Sequence, residues 1–192
     1  MNLVRVLKTL KEPKIIIGID SSSASLAMSV YSRDFENTYL IDTVKFKFQP
    51  KSSMADKLEL INSALPKVIK KYNPDAIRIE QTIYIQSPQT SRILSYIVGH
   101  IFGVCLEYCQ DVNDVPVMTW KSHIGYKNVT MAEKNAWKIL HGEKEAKKIA
   151  ARQRKERTGI LMKQKIEGID DIEDDDIMDS IAIGYWALTD VL

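Results

Sequence analysis

Hydrophobic and polar positions follow two different periods along the 192-residue chain, and the changes between them predict the order of the elements. Apolar runs and alternation over 14–19, 26–31 and 38–47 predict three β-strands, close enough in sequence to form an antiparallel meander. Apolar residues at helical spacing over 53–71 predict a helix, which Pro74 ends. The predicted order of this first part is therefore β-β-β-α.

The rest of the chain alternates short strands with helices. The sequence "AIRIE" predicts a strand that ends at Glu80, and "VPVMT" at 115–119 predicts a fifth strand. Helical patterns extend from 88 to about 110 and from about 174 to 192. The order β-β-β-α-β-α-β-α predicts a mixed five-stranded sheet flanked by helices, in one α/β domain that spans residues 1–192.

Composition narrows the class of protein without identifying it. A net charge of +2 is too small to indicate a polyanionic partner by itself. Cys105 and Cys109 lack the spacing of a zinc site, so we expect reduced thiols in the core. Residues 1–13 contain no apolar run long enough for a secretory signal, and no stretch reaches transmembrane length. We therefore expect a cytoplasmic protein that has no membrane partner.

Charge is unevenly distributed toward the carboxyl-terminal end. Residues 141–165 contain nine Lys or Arg and three Glu, whereas 167–179 contain eight acidic residues and no basic one. The acidic stretch is suited to the start of the last helix, where negative charge is favoured. The basic stretch is either a solvated helix or an arm that binds phosphates, and the sequence leaves both interpretations open.

Four acids fall where the predicted topology would bring them together. Asp20 and Glu80 end the first and fourth strands, and Asp176 and Asp179 share one face of the last helix; Asp175 with Asp179 is a competing register. For Asp20 alone a turn cap is the simpler explanation, because Asp-Ser-Ser is common turn chemistry. Four converging carboxylates would require a compensating cation. Two Mg²⁺ ions held in this way can stabilise the attacking and leaving oxygens of a phosphodiester.

The sequences "GID", "IEQ" and "DDIMDSIAIG" around these acids resemble the RuvC-type Holliday junction resolvases, in particular their phage-encoded branch. The resemblance implies a ribonuclease-H-like fold and a Mg²⁺-dependent crossover junction endonuclease of DNA recombination and repair, with Mn²⁺ as a substitute ion. It implies a homodimer that cuts four-way junctions, forks and other branched DNA, leaving 5′-phosphate and 3′-hydroxyl ends. The catalytic ligands of two metal ions would be Asp20, Glu80, Asp176 and Asp179.

The resemblance continues through the middle of the chain, over about 14–140 and 170–190. The segments "VPVMTWK" and "AEK" imply DNA contacts at Lys121 and Lys134. The family's aromatic wedge falls on Ile83, with Tyr84 beside it. Bacterial members follow the first aspartate with Pro-Gly, whereas this chain has two serines there.

Two further parts of the chain have a predicted role that rests on their own residues. The basic segment at about 141–165 is a helical insertion relative to the compact bacterial enzymes, and its predicted DNA contacts are Lys147, Lys148, Arg152 and Arg154. The apolar helix from 88 to about 110 is the predicted dimer element, because Gly99 and Gly103 would let another backbone approach closely.

Two other functions stay open. An ATP-binding module of the actin/sugar-kinase type would bind phosphate with "GIDSSSASLAMSV". Such folds need a Gly-rich adenosine site, and the eight glycines of this chain form no cluster. A non-catalytic branched-DNA-binding protein is the other alternative, and the presence of all four carboxylates argues against it.

Overall fold

Five β-strands and five helices form the fold over residues 14–34, 37–82 and 87–191. These are the residues that the structure, a computed structural model, describes. The strands form one sheet in the order β3-β2-β1-β4-β5. Their bounds are β1 Lys14–Ser21, β2 Ser25–Arg33, β3 Thr38–Lys47, β4 Ala76–Glu80 and β5 Val112–Val115. The helices are α1 Met54–Tyr72, α2 Pro88–Leu106, α3 Val117–His123, α4 Met131–Lys163 and α5 Asp175–Asp190.

The sheet is mixed, as the hydrophobic pattern predicts. β1, β2 and β3 pair antiparallel as a meander, while β4 runs parallel to β1 and β5 runs parallel to β4. Helices cover both faces, which explains why β1 is a nearly continuous run of buried isoleucines. Ile17 and Ile19 face the core that α1 and α2 complete, whereas Ile16 faces the core built by α3, α4 and α5.

The predicted fifth strand at 115–119 was wrong in its position. The strand β5 ends at Val115, which is the partner of Glu80, and the residues that follow form α3 instead. Pro116 explains the change, because its missing N–H prevents continued pairing and its fixed φ suits the residue that caps a helix. The apolar pattern persists through α3 because Trp120 is fully buried.

The helix bounds follow local capping signals. Ser53 and Asp56 form a capping box at the start of α1, and Asn73, in the left-handed conformation, ends it. α2 ends at 106, four residues earlier than predicted. α4 is interrupted at Gly142, whose φ of 77° is non-helical.

The basic segment is helical from Glu143 to Lys163, in the second part of α4. That it is an insertion into a single domain stays a prediction. No helix in the described residues is long and apolar enough to cross a membrane.

Candidate active site

Asp20 and Glu80 lie side by side at the ends of two parallel strands. Ile19 of β1 pairs with Ile79 of β4, and the two acids are the next residues along their strands. Both side chains therefore leave the same edge of the sheet on the same face, the face that α5 covers. Asp20 is only 9% exposed. The sheet thus holds two carboxylates next to each other in a place where water screens their charges only weakly.

The last helix reaches this edge because two glycines let it lie directly on the sheet. A Cβ atom on Gly18 would lie 2.3 Å from the backbone nitrogen of Gly184, so neither residue could carry a side chain without moving α5. The hydroxyl of Ser29 also donates a hydrogen bond to the carbonyl oxygen of Ser180, at 2.7 Å. These contacts bring the amino-terminal half of α5 over the strand ends.

The electrostatics of Asp20 indicate that the predicted acids converge. Burial raises the pKa of Asp20 well above its usual value. Repulsion raises it further, from the carboxylates of Glu80, Asp179 and Asp176 in decreasing order. Lys121 of α3 acts in the opposite direction. All four predicted ligands therefore share one electrostatic environment, with a lysine at its border.

The pKa values of Glu80 and Asp179 are raised for the same reasons. Burial, followed by the charge of Asp179, raises the pKa of Glu80 to about 7. Burial also raises the pKa of Asp179 to about 6, against the lowering effects of Lys121 and of a hydrogen bond from Thr158. The Nε1–H of Trp120 donates to Glu80 Oε2 at 3.1 Å and stabilises its ionised form. Together these acids carry more negative charge than the neighbouring lysine offsets.

Asp176 has a different environment from the other three acids. Its Oδ2 accepts a hydrogen bond of 2.5 Å from the Ser25 hydroxyl and lies 2.8 Å from Lys45 Nζ. Lys45 also lies 2.6 Å from Asp174, the residue that caps α5. Burial acts to lower the pKa of Lys45, but its hydrogen bonds to Asp174 and Asp176 outweigh burial and raise that pKa.

Asp175, the competing candidate, pairs elsewhere. Its Oδ2 lies 3.1 Å from Lys155 Nζ on α4. The charges of Asp176 and Asp179 act on Asp20, whereas Asp175 acts on Asp179. The choice of the register that Asp176 and Asp179 define stays a prediction.

The donor set fits a hard divalent cation. Mg²⁺ binds carboxylate oxygens together with water molecules, and a cation relieves the repulsion between buried carboxylates. The Ser21 hydroxyl is buried and has no hydrogen-bond partner in the described part of the chain, but it follows Asp20 in the alternation of β1 and so lies on the opposite face of the sheet. Within those same residues, no three His, Cys, Asp or Glu side chains are grouped closely enough to hold an ion as they stand. Ion binding therefore requires the carboxylates to rotate toward a shared centre.

Comparison with known proteins identifies the family. No family model matches the chain. The crossover junction endodeoxyribonuclease RuvC of Rickettsia akari is 30% identical over 172 residues, which cover 89% of this chain and 94% of that protein. The chain belongs to the RuvC family. The RuvC of Rickettsia felis is 29% identical over 172 residues, covering 89% of this chain and 95% of that protein.

Solved structures share the fold of this RuvC-family chain at low sequence identity. T. thermophilus RuvC, in complex with Holliday junction substrate, has a TM-score of 0.65 and 12% identity over 90% of this chain and 91% of that one. The fowlpox virus resolvase, in complex with Holliday junction DNA, has a TM-score of 0.52 and 18% identity over 93% and 99%. The predicted ribonuclease-H-like sheet is thereby confirmed.

The predicted DNA contacts of this RuvC-family chain lie in three places. Lys121 borders the acids, with its Nζ 5.0 Å from the centres of the Trp120 and Tyr126 rings. Lys134 is exposed in the first turn of α4. Ile83 and Tyr84 lie outside the described residues.

The other four predicted contacts are exposed on the second part of α4. Three of them have an acidic neighbour: Lys147 lies 3.3 Å from Glu143, Lys148 lies 3.1 Å from Glu145, and Arg152 lies 3.4 Å from Glu156. Arg154 instead donates through Nε to the carbonyl of Ala150 at 3.2 Å. These ion pairs are exposed and therefore weak, so the bases can exchange them for phosphates.

Three residues at the site were missed from the sequence. Lys45, Ser25 and Thr158 contact the candidate ligands through side chains that come from β3, β2 and α4. The positions of Ser25 and Lys45 could have been predicted, because the alternation of side chains along β2 and β3 places both on the face of the sheet opposite to Val44 and Phe46. No comparable signal existed for Thr158, since only the packing of α4 on α5 makes it a neighbour of Asp179.

Proposed function

We propose that this chain is an endodeoxyribonuclease that resolves Holliday junctions and other branched DNA. Its RuvC relatives are named crossover junction endodeoxyribonucleases, and two of its structural neighbours are bound to Holliday junctions. The observation that carries the proposal is the mutual repulsion of buried carboxylates at the strand ends, where Asp20, Glu80 and Asp179 all have raised pKa values. Strongly shifted pKa values of this kind are typical of functional sites, and a bound cation would relieve the repulsion between the carboxylates.

The cation in this proposal is a divalent metal ion, held by Asp20, Glu80, Asp176 and Asp179. Mg²⁺ suits an all-carboxylate set, and two ions per site with Mn²⁺ as a substitute complete the proposal. When bound, two such ions would supply the charge that activates water and stabilises the leaving 3′ oxygen, giving 5′-phosphate and 3′-hydroxyl ends.

The protein's own groups orient the carboxylates and compensate their charge. Trp120 and Thr158 donate to Glu80 and Asp179, which restricts the rotation of both acids. Lys121 lowers the pKa of three carboxylates and thereby helps them lose the protons that would exclude a metal ion. We assign Lys121 a second role, contact with the phosphate next to the scissile bond.

Outside the centre, the proposed DNA contacts are Lys134, the basic residues of α4 and the segment with Ile83 and Tyr84. Resolution of a junction needs two symmetric cuts, so we propose a homodimer. Its candidate surface is the outer face of α2, where Tyr96 is 56% exposed and a Cβ on Gly99 or Gly103 would meet no atom of the described residues within 4 Å. A phage-encoded origin and a cytoplasmic location stay predictions.

Cleavage of a synthetic four-way junction tests the proposal. We expect paired nicks in Mg²⁺, no nicks in EDTA, and binding without cleavage in Ca²⁺, whose looser geometry misplaces the reacting groups. A linear duplex of the same sequence is the substrate control, and the Asp20→Asn variant is the protein control. Binding without cleavage in every metal would support the non-catalytic alternative, and ATP binding without junction binding would support the actin/sugar-kinase alternative.

A further inference from the structure

Lys45 lies in a row of residues that crosses the sheet and includes the strand-end acids. Asp20 of β1 pairs with Ala27 of β2, and Ala27 pairs with Lys45 of β3. The three side chains therefore point from the same face, the one covered by α5. Ala27 is fully buried and contributes only a methyl group to this row, between the acid and the lysine. Ser25, two residues before Ala27, lies on the same face of β2.

Asp176 is held from this row through a single oxygen atom. Lys45 Nζ lies 2.8 Å from Asp176 Oδ2, and the Ser25 hydroxyl donates to the same oxygen at 2.5 Å. The side chain of Lys45 is only 13% exposed and that of Asp176 is 32% exposed, so the lysine end of the pair is the part that is shielded from water. Lys45 is fixed in turn by Asp174, which accepts hydrogen bonds of 2.6 and 2.7 Å.

We propose that Lys45 is a positioning residue of the metal centre, which together with Ser25 holds Asp176 through Oδ2 and leaves Oδ1 to coordinate a metal ion. The inference rests on the proposed function, since it requires that Asp176 be a ligand. Partners of this kind set the direction of a ligand's free lone pairs and the number of oxygens it can offer.

The positive charge of Lys45 has a second, opposing effect. A fixed cation next to a ligand repels a divalent ion, so Lys45 orients Asp176 but weakens the net attraction of the site for metal. Removal of the Lys45 charge should therefore affect the cleavage rate and metal binding differently. The rate at saturating metal should fall because Asp176 is free to rotate, while metal binding should be retained or become tighter. A residue that only stabilised the fold would not produce this combination.

The Lys45→Met variant tests the proposal, because methionine keeps much of the lysine side chain's length without its charge. We expect single-turnover cleavage of a four-way junction at saturating Mg²⁺ to be about 10- to 100-fold slower than for the wild type. We expect the half-saturating Mg²⁺ concentration to be equal or lower. Without DNA, the rise in melting temperature caused by Mg²⁺ should be equal or larger. Lys47→Met is the matched control, an exposed lysine on the same strand and face, and should behave as the wild type.

Ser25→Ala removes the other donor to Asp176 Oδ2 and keeps the test decisive if Lys45→Met does not fold. We expect slower cleavage at saturating Mg²⁺, with metal-induced stabilisation retained. Cleavage by both variants within about twofold of the wild type would overturn the proposal. A higher Mg²⁺ requirement with a normal saturated rate would also overturn it. Absence of cleavage by the wild type would instead refute the proposed function, so the two failures are distinguishable.

Discussion

Gly18 of β1 and Gly184 of α5 approach each other so closely that a Cβ on Gly18 would lie 2.3 Å from the Gly184 nitrogen and 2.7 Å from its Cα. The other side of Gly184 is equally restricted, because a Cβ there would lie 2.5 Å from the Ser29 hydroxyl oxygen. The last helix therefore rests on the sheet through backbone atoms. Since Asp179 lies on the same helix, this approach also sets its distance from Asp20.

We expect Gly18→Ala and Gly184→Ala to destabilise the protein and to slow cleavage together. Each methyl group would meet backbone or buried side-chain atoms, and overpacking of this kind costs about 1–3 kcal/mol of unfolding free energy. The helix can relieve the clash only by moving away from β1, which would carry Asp179 away from Asp20. Urea unfolding and junction cleavage at saturating Mg²⁺ measure the two effects.

Gly159→Ala is the matched control for these two variants. A Cβ at this position in α4 would make an ordinary contact, 3.6 Å from Met178 Cγ. Stability should be unchanged or raised by up to about 1 kcal/mol, because alanine favours the helix. Normal stability of Gly18→Ala would contradict the close approach of α5 to β1.

Substitution of the four candidate ligands should abolish cleavage and leave junction binding intact or tighter. Removal of one carboxylate weakens metal binding, but it also removes repulsion toward the phosphates of DNA. Asp175→Asn is the control, because Asp175 pairs with Lys155 and should leave cleavage near the wild-type rate. Gel-based nicking and a binding titration in Ca²⁺ measure both quantities. The variants are Asp20→Asn, Glu80→Gln, Asp176→Asn and Asp179→Asn.

Wild-type cleavage by two of these four variants would show that the site was assigned to the wrong acids. Loss of cleavage in Asp175→Asn, with activity retained in Asp176→Asn, would support the competing register instead.

The sheet and the position of its acids could be predicted from sequence because both depend on local patterns. The run of isoleucines in β1 and the placement of Asp20 and Glu80 at strand ends follow from alternation and topology. The predicted position of the fifth strand was wrong because an apolar run does not distinguish a strand from a turn of buried helix. Pro116 ends the strand and caps the helix that follows.

The surroundings of the acids depend on packing between distant segments, which a local pattern does not contain. Lys45 and Asp176 are 131 residues apart in sequence and meet only because α5 crosses the sheet above β2 and β3. Thr158 belongs to a segment that its charge marked as solvated or phosphate-binding, yet its side chain is buried against α5. Gly18 and Gly184 carried a usable signal, since isolated glycines in apolar elements indicate close backbone approach.

The metal-free protein should lose stability as the pH rises from about 5 to about 8. The pKa of Glu80 is about 7 and that of Asp179 about 6 in the folded protein, above their usual values near 4. Between the usual pKa values near 4 and the folded-state values of about 6 and 7, the folded protein keeps protons that the unfolded protein has released. The free energy of unfolding therefore falls with increasing pH. The contribution of these groups is fully present below about pH 4 and is lost as the pH passes through 6 and 7.

Melting temperatures in EDTA and in Mg²⁺ check this dependence. Mg²⁺ should stabilise the protein more at about pH 8 than at about pH 5, because the ion replaces the lost protons. Glu80→Gln provides the control, since it should flatten the decrease in EDTA while leaving unrelated titrations unchanged. A slope that is identical in Glu80→Gln and the wild type would exclude Glu80 as its source.

The basic residues in the second part of α4 should bind phosphates of the DNA backbone. Each phosphate neutralised contributes about 0.9 to the slope of log K against log salt. Replacement of four bases by alanine should therefore flatten this slope by about 2.5–4 units if three or four of them contact DNA. Binding should weaken similarly for every DNA sequence, because phosphate contacts carry no sequence information. The four are Lys147, Lys148, Arg152 and Arg154.

Fluorescence anisotropy at several salt concentrations measures this slope. The control is a double alanine replacement of Lys67 and Lys70, two exposed lysines of α1 on the opposite face of the sheet. An unchanged slope in the quadruple variant would favour the other interpretation of the segment, a solvated helix whose bases pair with Glu143, Glu145 and Glu156.

The protein should sediment as a homodimer of about 44 kDa, twice the 21.9 kDa chain, through the outer face of α2. Tyr96, Gly99, Gly103 and Leu106 recur at helical spacing on this face, and all four are exposed in the single chain. A two-fold axis through such a face would bury the tyrosine and let the glycines meet the partner's backbone. Tyr96→Glu should therefore produce a monomer that binds a junction but no longer makes paired cuts. Tyr39→Glu is the matched control, because Tyr39 on β3 is 54% exposed against 56% for Tyr96. Sedimentation velocity separates the outcomes: a dimer that persists in Tyr96→Glu but dissociates in Tyr39→Glu would move the interface from α2 to the edge of the sheet.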